Sequence, residues 1–297
     1  RHTACKRLDP HHLTLHADAA GGECGHRFGA YLDCADVFAP EVYPVQQAKP
    51  TGREMRDAYA PARVVRDTLV AAGHPRKTSW PIVQYFDGWA CWNRYPTFPE
   101  LRFMTYAQIV CGARGIFFYA YTGSGWKREG RIARGARDIP EKWADLCRVA
   151  GELSKLEPVL VSPDSKEQPK VKDPVHVLLK DCEDGYLFAV NVATNAVRMT
   201  IPLKGVVTAE STEGIEFDVR NGLADELGPH AVRIYRLKKS STSKAPLLSM
   251  RLRANDTDSP DIWKGNFKTV AEHSRLLRRD QALDRTWRGQ TRPNAFE

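Results

Sequence analysis

Four short apolar runs, each closed by acidic or aromatic residues, constrain the fold of this chain more than any other feature. They are residues 13–18 (LTLHAD), 37–43 (VFAPEVY), 82–87 (IVQYFD) and 115–121 (GIFFYAY). A strand buried on both faces reads as a nearly continuous apolar run, which is the mark of a parallel sheet. Helical patterns separate the last three runs, and parallel strands need such crossovers. Residues 53–72 place Met55, Tyr59, Ala62, Val65 and Leu69 on one helical face, and Gly73 ends the pattern. Thr97 reads as a helix N-cap with Pro99 in the first turn, and Leu101, Met104, Gln108 and Cys111 keep the spacing up to Gly112. A further helix over residues 140–156 carries Trp143, Leu146, Ala150, Leu153 and Leu156 on one stripe.

This alternation of strand and helix predicts an α/β fold with a parallel sheet. In a β/α barrel the chemistry sits at the carboxyl ends of the strands. The polar residues that close each run therefore predict a ligand-binding face. A closed barrel needs eight such strands and only four are visible, so the expectation is a partial barrel.

Proline and charge dominate residues 158–174, and the period then changes from helical to alternating. Residues 175–180 and 186–192 flank 181–185 (DCEDG), a segment with hairpin-turn chemistry. Residues 197–203, 206–209, 215–219 and 231–237 supply further strands, enough for a small antiparallel β-sandwich. The expected organisation is a partial barrel over residues 1–160, a linker over 161–174, a β-sandwich over 175–238 and a polar tail over 239–297. One weak helix is expected at residues 267–283.

The net charge of +8 is concentrated in that tail, where residues 238–297 hold 13 Lys/Arg against 7 Asp/Glu. The body is nearly neutral. The tail's Trp263, Phe267 and Trp287 belong to no nucleic-acid-binding motif, so nucleic acid is not an expected partner. No apolar stretch approaches the ~20 residues that span a bilayer, so no membrane partner is expected. The seven cysteines form no CxxC pair. His12 and His16, with Cys24 and His26 nearby, show no recognised ligand spacing, so neither a metal nor a cofactor is expected.

Several segments resemble clan A glycoside hydrolases of the β-galactosidase-like type. Residues 8–14 (LDPHHLT) resemble the entry to that family's fifth barrel strand. Residues 36–44 (DVFAPEVYP) resemble the sixth strand with its Tyr-Pro ending, and 81–86 (PIVQYF) the seventh. Residues 100–106 (ELRFMTY) and 112–119 (GARGIFFY) resemble the seventh helix and eighth strand. The resemblance implies strands five to eight of a (β/α)8 TIM barrel with a trailing sandwich, and a retaining two-carboxylate mechanism on a carbohydrate substrate. It places the family's acid/base, a Glu usually preceded by Asn, on a strand upstream of Arg1. It places the nucleophile on the seventh strand, where this chain has Gln84 and then Asp87.

Glycoside hydrolysis needs one carboxyl to protonate the leaving oxygen and a second to attack or to activate water. The catalytic candidates are Asp87, Glu41 and Asp18, each at a strand end. Gln84 can donate to and accept from sugar hydroxyls. Tyr43, Trp89, Trp92, Tyr121 and Trp126 are candidate stacking platforms for pyranose rings. Taken alone, the chain is expected to have little activity; the alternative is a non-catalytic carbohydrate-binding or scaffold protein. Half a barrel leaves strand edges unpaired. Self-association or an upstream half of the barrel is thus the expected partner, and a secreted or periplasmic parent is compatible with a carbohydrate substrate.

Overall fold

A computed structural model describes residues 2–19, 28–45, 55, 58–74, 76–88, 92–123, 127–128 and 131–239, all within one compact unit. The tail from residue 240, with its expected helix, lies outside the described residues. Helix α1 (His2–Leu8) leads into β1 (Leu15–Ala19). Strands β2 (Val37–Val42), β3 (Thr78–Ser79), β4 (Ile82–Gln84) and β5 (Phe117–Tyr119) complete the predicted parallel sheet, in the order β1-β2-β4-β5 with β3 also on β2. The register sets Ala19 opposite Glu41, Glu41 opposite Ile82 and Gln84 opposite Tyr119.

The third run forms β4, and a short strand that the sequence did not predict, β3, precedes it. Both β3 and β4 pair with β2, and Trp80–Pro81 interrupts them. Pro81 has no N–H to give a ladder. The chain stays attached there through Trp80 N–H to the Phe38 carbonyl (2.9 Å) and Phe117 N–H to the Pro81 carbonyl (2.9 Å).

Helix α2 (Pro61–Ala71) begins later than the predicted residue 53. Pro61 lacks an N–H and fits the first turn, where none is needed. Its Val65 and Leu69 pack on Phe38 of β2. Helix α3 (Phe98–Val110) starts at the predicted Thr97 cap. Glu100 N–H donates to Thr97 Oγ1 (3.4 Å) and Thr97 N–H donates to Glu100 Oε2 (2.7 Å), a reciprocal cap. Nearly every α3 side chain from Leu101 to Val110 is buried, because the helix lies between the parallel sheet and the β-sheets that follow. Two short strands, β6 (Lys127–Arg128) and β7 (Arg131–Ile132), form a small ribbon after β5.

Helix α4 (Pro140–Leu160) runs through Pro158 and past residue 156, where the sequence predicted its end. Leu153, Leu156, Val159 and Leu160 pack against the main core and hold the last turn in place despite the missing N–H.

The second layer comprises β8 (Val175–Lys180), β9 (Tyr186–Asn191), β10 (Val197–Ile201), β11 (Val206–Ser211), β12 (Glu216–Asp218), β13 (Leu223–Leu227) and β14 (Val232–Lys239). A five-stranded sheet, β12-β11-β14-β9-β8, faces the β10-β13 pair across Leu187, Ala189, Ile201, Leu223 and Tyr235. Gly185 turns the β8–β9 hairpin at φ 62°, a left-handed conformation that glycine adopts without strain. The sequence gives little sign of β13, since Asp225 and Glu226 interrupt its apolar pattern. Asp225 is nonetheless satisfied, because the Tyr235 hydroxyl donates to it at 2.6 Å. Tyr106 of α3 stacks on Phe188 of β9, and Arg102 donates to the Val232 carbonyl (3.0 Å), so the two layers share one core.

Candidate active site

Side chains alternate across a strand. Phe38 points toward α2, so Val37, Ala39, Glu41 and Tyr43 share the opposite face of the sheet. Parallel pairing then brings the strand ends to one rim, where the candidate residues divide into two groups.

The first group surrounds Glu41. This carboxyl is half-buried; burial raises its pKa above the ordinary glutamate value, and the neighbouring negative charge of Asp18 raises it further. Both causes disfavour the carboxylate form. Two residues on, Tyr43 stacks on Tyr119 of β5 with ring centroids 5.9 Å apart and planes at 26°. Phe86 and Trp92 stand edge-on to Tyr43, at 5.2 and 5.9 Å. Trp92 Nε1–H donates to the Tyr43 carbonyl at 2.9 Å, which pins the chain beyond β2. Burial, with the charge of Glu41 and the neighbouring Tyr119, pushes the Tyr43 phenol well above its usual range. Asp18, Glu41, Tyr43 and Tyr119 are thus electrostatically or sterically coupled across three strands. Tyr119 remains 43% exposed, so one side of the aromatic cluster faces solvent.

The second group is engaged in structural contacts. Gln84 is fully buried, and its amide is spent on the backbone of Val45. Val45 N–H donates to Oε1 (2.8 Å) and Nε2 donates to the Val45 carbonyl (2.9 Å). The amide expected to meet sugar hydroxyls instead holds the segment that carries Tyr43. Asp87 is held by Arg134: Nε donates to Oδ1 at 2.9 Å and Nη2 donates to Oδ2. The backbones of the two residues also exchange N–H···O bonds, 3.2 and 3.0 Å long. Gly88 allows this close approach, since a Cβ there would sit 2.2 Å from the Ile132 carbonyl oxygen. Tyr121 packs edge-on to Trp143 (5.7 Å), and its hydroxyl accepts from Arg137 Nη1 at 2.6 Å.

Trp89 and Trp126, and with them Cys24 and His26, lie outside the described residues. Sequence reasoning overlooked Tyr119 and Arg134. Tyr119 was detectable in principle, because it alternates with Phe117 and Tyr121 on one face of the fourth run. Arg134 lies in a Gly/Arg-rich loop with no periodic pattern to single it out. Among the described residues, no group of three His, Cys, Asp or Glu is arranged to hold a metal ion. No helix among them is long and apolar enough to cross a membrane.

No protein-family model matches the chain, and no curated protein matches it either. Its fold does match solved structures. A glycoside hydrolase family 5 protein from Bacteroides vulgatus aligns with 13% identity and a TM-score of 0.50, over 81% of this chain and 58% of that one. Another structure, described as a glycoside hydrolase, aligns with 13% identity and a TM-score of 0.49, over 80% of this chain and 60% of its own. The chain therefore spans about 60% of the length of the structures it matches. At this identity the likeness to the Bacteroides protein establishes the fold alone: the parallel sheet and its helices have the architecture of a partial (β/α)8 barrel, and antiparallel sheets follow them.

Proposed function

We propose that this is a glycoside hydrolase-like protein that recognises carbohydrate at the rim formed by the ends of β1, β2, β4 and β5. The observation that carries the reading is the Tyr43–Tyr119 stack beside the half-buried Glu41. An aromatic face with one side open to solvent suits the apolar face of a pyranose, and a neighbouring carboxyl suits its hydroxyls. The matched structures are named glycoside hydrolases, which agrees with this reading.

Within it, Glu41 is assigned as proton donor and Asp18 as its carboxylate partner. A carboxyl whose pKa is raised keeps its proton to a higher pH than an ordinary glutamate and can protonate a leaving oxygen. Asp87 has both oxygens committed to Arg134, so its assigned role is to shape the rim rather than to attack the sugar. The open edges β1 and β5 are assigned to an upstream barrel half or a second copy of the chain. Cleavage is a property of that completed barrel, and binding is the property of this chain. The test is a titration with a panel of oligosaccharides, followed by intrinsic tyrosine and tryptophan fluorescence. Saturable quenching lost in Tyr119→Ala is expected; a flat response to every sugar overturns the reading.

A second reading, carbohydrate binding without cleavage, is favoured by one observation. The strand where the resembled family carries its nucleophile presents Gln84, which is bonded to Val45, and leads to Asp87, which is bonded to Arg134. Chromogenic glycosides offered to a chain extended upstream separate the two readings. Hydrolysis abolished by Glu41→Gln favours the enzyme, and binding with no hydrolysis favours the binding protein.

A further inference from the structure

We propose that the cleft between α2 and the first strand of the sandwich binds a phosphate or sulfate group. The cleft has a volume of about 410 Å³, and Tyr59, Arg63, Arg66, Asp67, Cys111 and His176 line it. None of the rim residues borders it, so the inference is independent of the proposed carbohydrate site.

Charge is the first argument. Two guanidinium groups share one carboxylate. Arg66 donates to Asp67 Oδ1 through Nε (3.1 Å) and Nη2 (2.9 Å), while Arg63 Nε stands 3.6 Å from Asp67 Oδ2. The other nearby carboxylate, Asp173, lies 3.5 Å from His176 and is 90% exposed, where solvent screens it. The Cys111 thiol adds no negative charge at neutral pH, because burial pushes its pKa up to about 12. Arg63 and Arg66 against Asp67 thus leave the lining of the cleft with a net positive charge.

Geometry is the second argument. Arg66 lies against Gly112, whose φ is +97°; a Cβ there would come within 2.8 Å of Arg66 Cδ. Arg63 lines the cleft together with Tyr59, whose side chain interacts with its guanidinium. The His176 ring is stacked on Tyr59 at 3.9 Å and 21°. The basic groups are therefore placed by packing before any ligand arrives. Asp67 occupies only part of the five N–H donors on each guanidinium, and a tetrahedral oxyanion can accept from the remaining donors of both arginines at once. Two arginines around one cleft fit the tetrahedral ion.

Calorimetric titration of the full chain tests this, using inorganic phosphate, inorganic sulfate and a hexose monophosphate, with chloride at matched ionic strength as the blank. Saturable binding of phosphate and sulfate is expected, weakened at least tenfold in Arg63→Gln and Arg66→Gln and unchanged in Arg198→Gln. Tighter binding of the hexose monophosphate assigns the group to a phosphorylated sugar, and equal binding assigns it to the free ion. Heat indistinguishable from the chloride blank overturns the proposal, as does binding undiminished in both arginine variants. The His176 ring resonances give a readout that needs no variant. Phosphate should shift them and raise the imidazole pKa, and resonances unmoved at saturating phosphate equally overturn the proposal.

Discussion

Arg134 holds Asp87 by side chain and backbone together, a two-pronged guanidinium contact set on a pair of reciprocal main-chain hydrogen bonds. The loop after β7 is thereby tied to the chain leaving β4. Only 7% of the Asp87 side chain is exposed, while Arg134 is half exposed, so solvent screens one partner but not the other. Removing the guanidinium leaves a buried carboxylate short of donors, which costs about 2 kcal/mol once that screening is allowed for. Arg134→Ala should lower the urea midpoint accordingly, and Asp87→Asn should also destabilise the fold while leaving sugar binding within twofold of the parent. Loss of binding in Asp87→Asn with unchanged stability would contradict this structural role.

Gln84 is the second structural anchor. Gln84→Ala strands the N–H and carbonyl of Val45 in a buried setting, at a cost of about 2–3 kcal/mol. Gln84→Glu keeps an acceptor for the N–H but sets a carboxylate oxygen against the Val45 carbonyl. Both variants are expected to melt lower than the parent, and the glutamate variant is expected to gain no hydrolytic activity. Differential scanning calorimetry with a chromogenic assay checks both.

The raised pKa of Glu41 predicts a pH dependence of stability. Below the unfolded value of 4.5 the group is protonated in both states and costs nothing. As the pH rises above 4.5, the unfolded chain loses its proton first, so the folded state binds more protons and stability falls. The penalty is complete above the folded pKa. Glu41→Gln should therefore be more stable than the parent at neutral pH, with the difference vanishing near pH 3. Melting curves across that range test it, and an equal or lower melting point at pH 7 would sink the assignment.

Asp164 carries the opposite sign. Burial pushes its carboxyl up, but hydrogen bonds from Arg114 (2.5 Å) and Lys180 (2.8 Å) outweigh burial, and its pKa lies below the ordinary 3.8. This stabilisation is present above pH 3.8 and is lost as the pH falls through the lower folded value. Lys180 is only 2% exposed, so Asp164→Asn leaves a buried ammonium without its counter-ion. A loss of about 3 kcal/mol at pH 7 is expected, shrinking as the pH drops below 3, and denaturant unfolding at both pH values measures it.

The sheet, the α3 cap and the Gly185 turn were legible because each depends on local chemistry: apolar runs, a Thr with Pro behind it, a glycine after acidic residues. Gly88 was not, because the need for it comes from Ile132, which is distant in sequence. The same holds for Asp87, whose role depends on Arg134 in an irregular loop, and for Gln84, whose partner is the Val45 backbone. Pro158 misled for the converse reason: tertiary packing of Leu156, Val159 and Leu160 overrides a local helix breaker. Strand ends could be read as a rim, but which of its polar groups are free is decided by long-range contacts.

Leu15 on β1 and Phe117 on β5 are 45% and 40% exposed, large apolar side chains on the outermost strands of the parallel sheet. Among the described residues, β1 pairs only with β2 and β5 only with β4, so each presents unpaired backbone groups beside an exposed apolar side chain. Such edges attract further strands, and lysine on an edge blocks that pairing. The chain on its own is expected to self-associate at micromolar concentration, as seen by sedimentation velocity. The double variant Leu15→Lys, Phe117→Lys should shift it toward monomer without lowering the melting temperature by more than a few degrees, since neither side chain is in the core. Supplying a polypeptide with the upstream half of the barrel should do the same for the unmodified chain. A parent that stays monomeric over a hundredfold concentration range would mean that the two edges are already protected, and the assignment of a covering partner would fall with it.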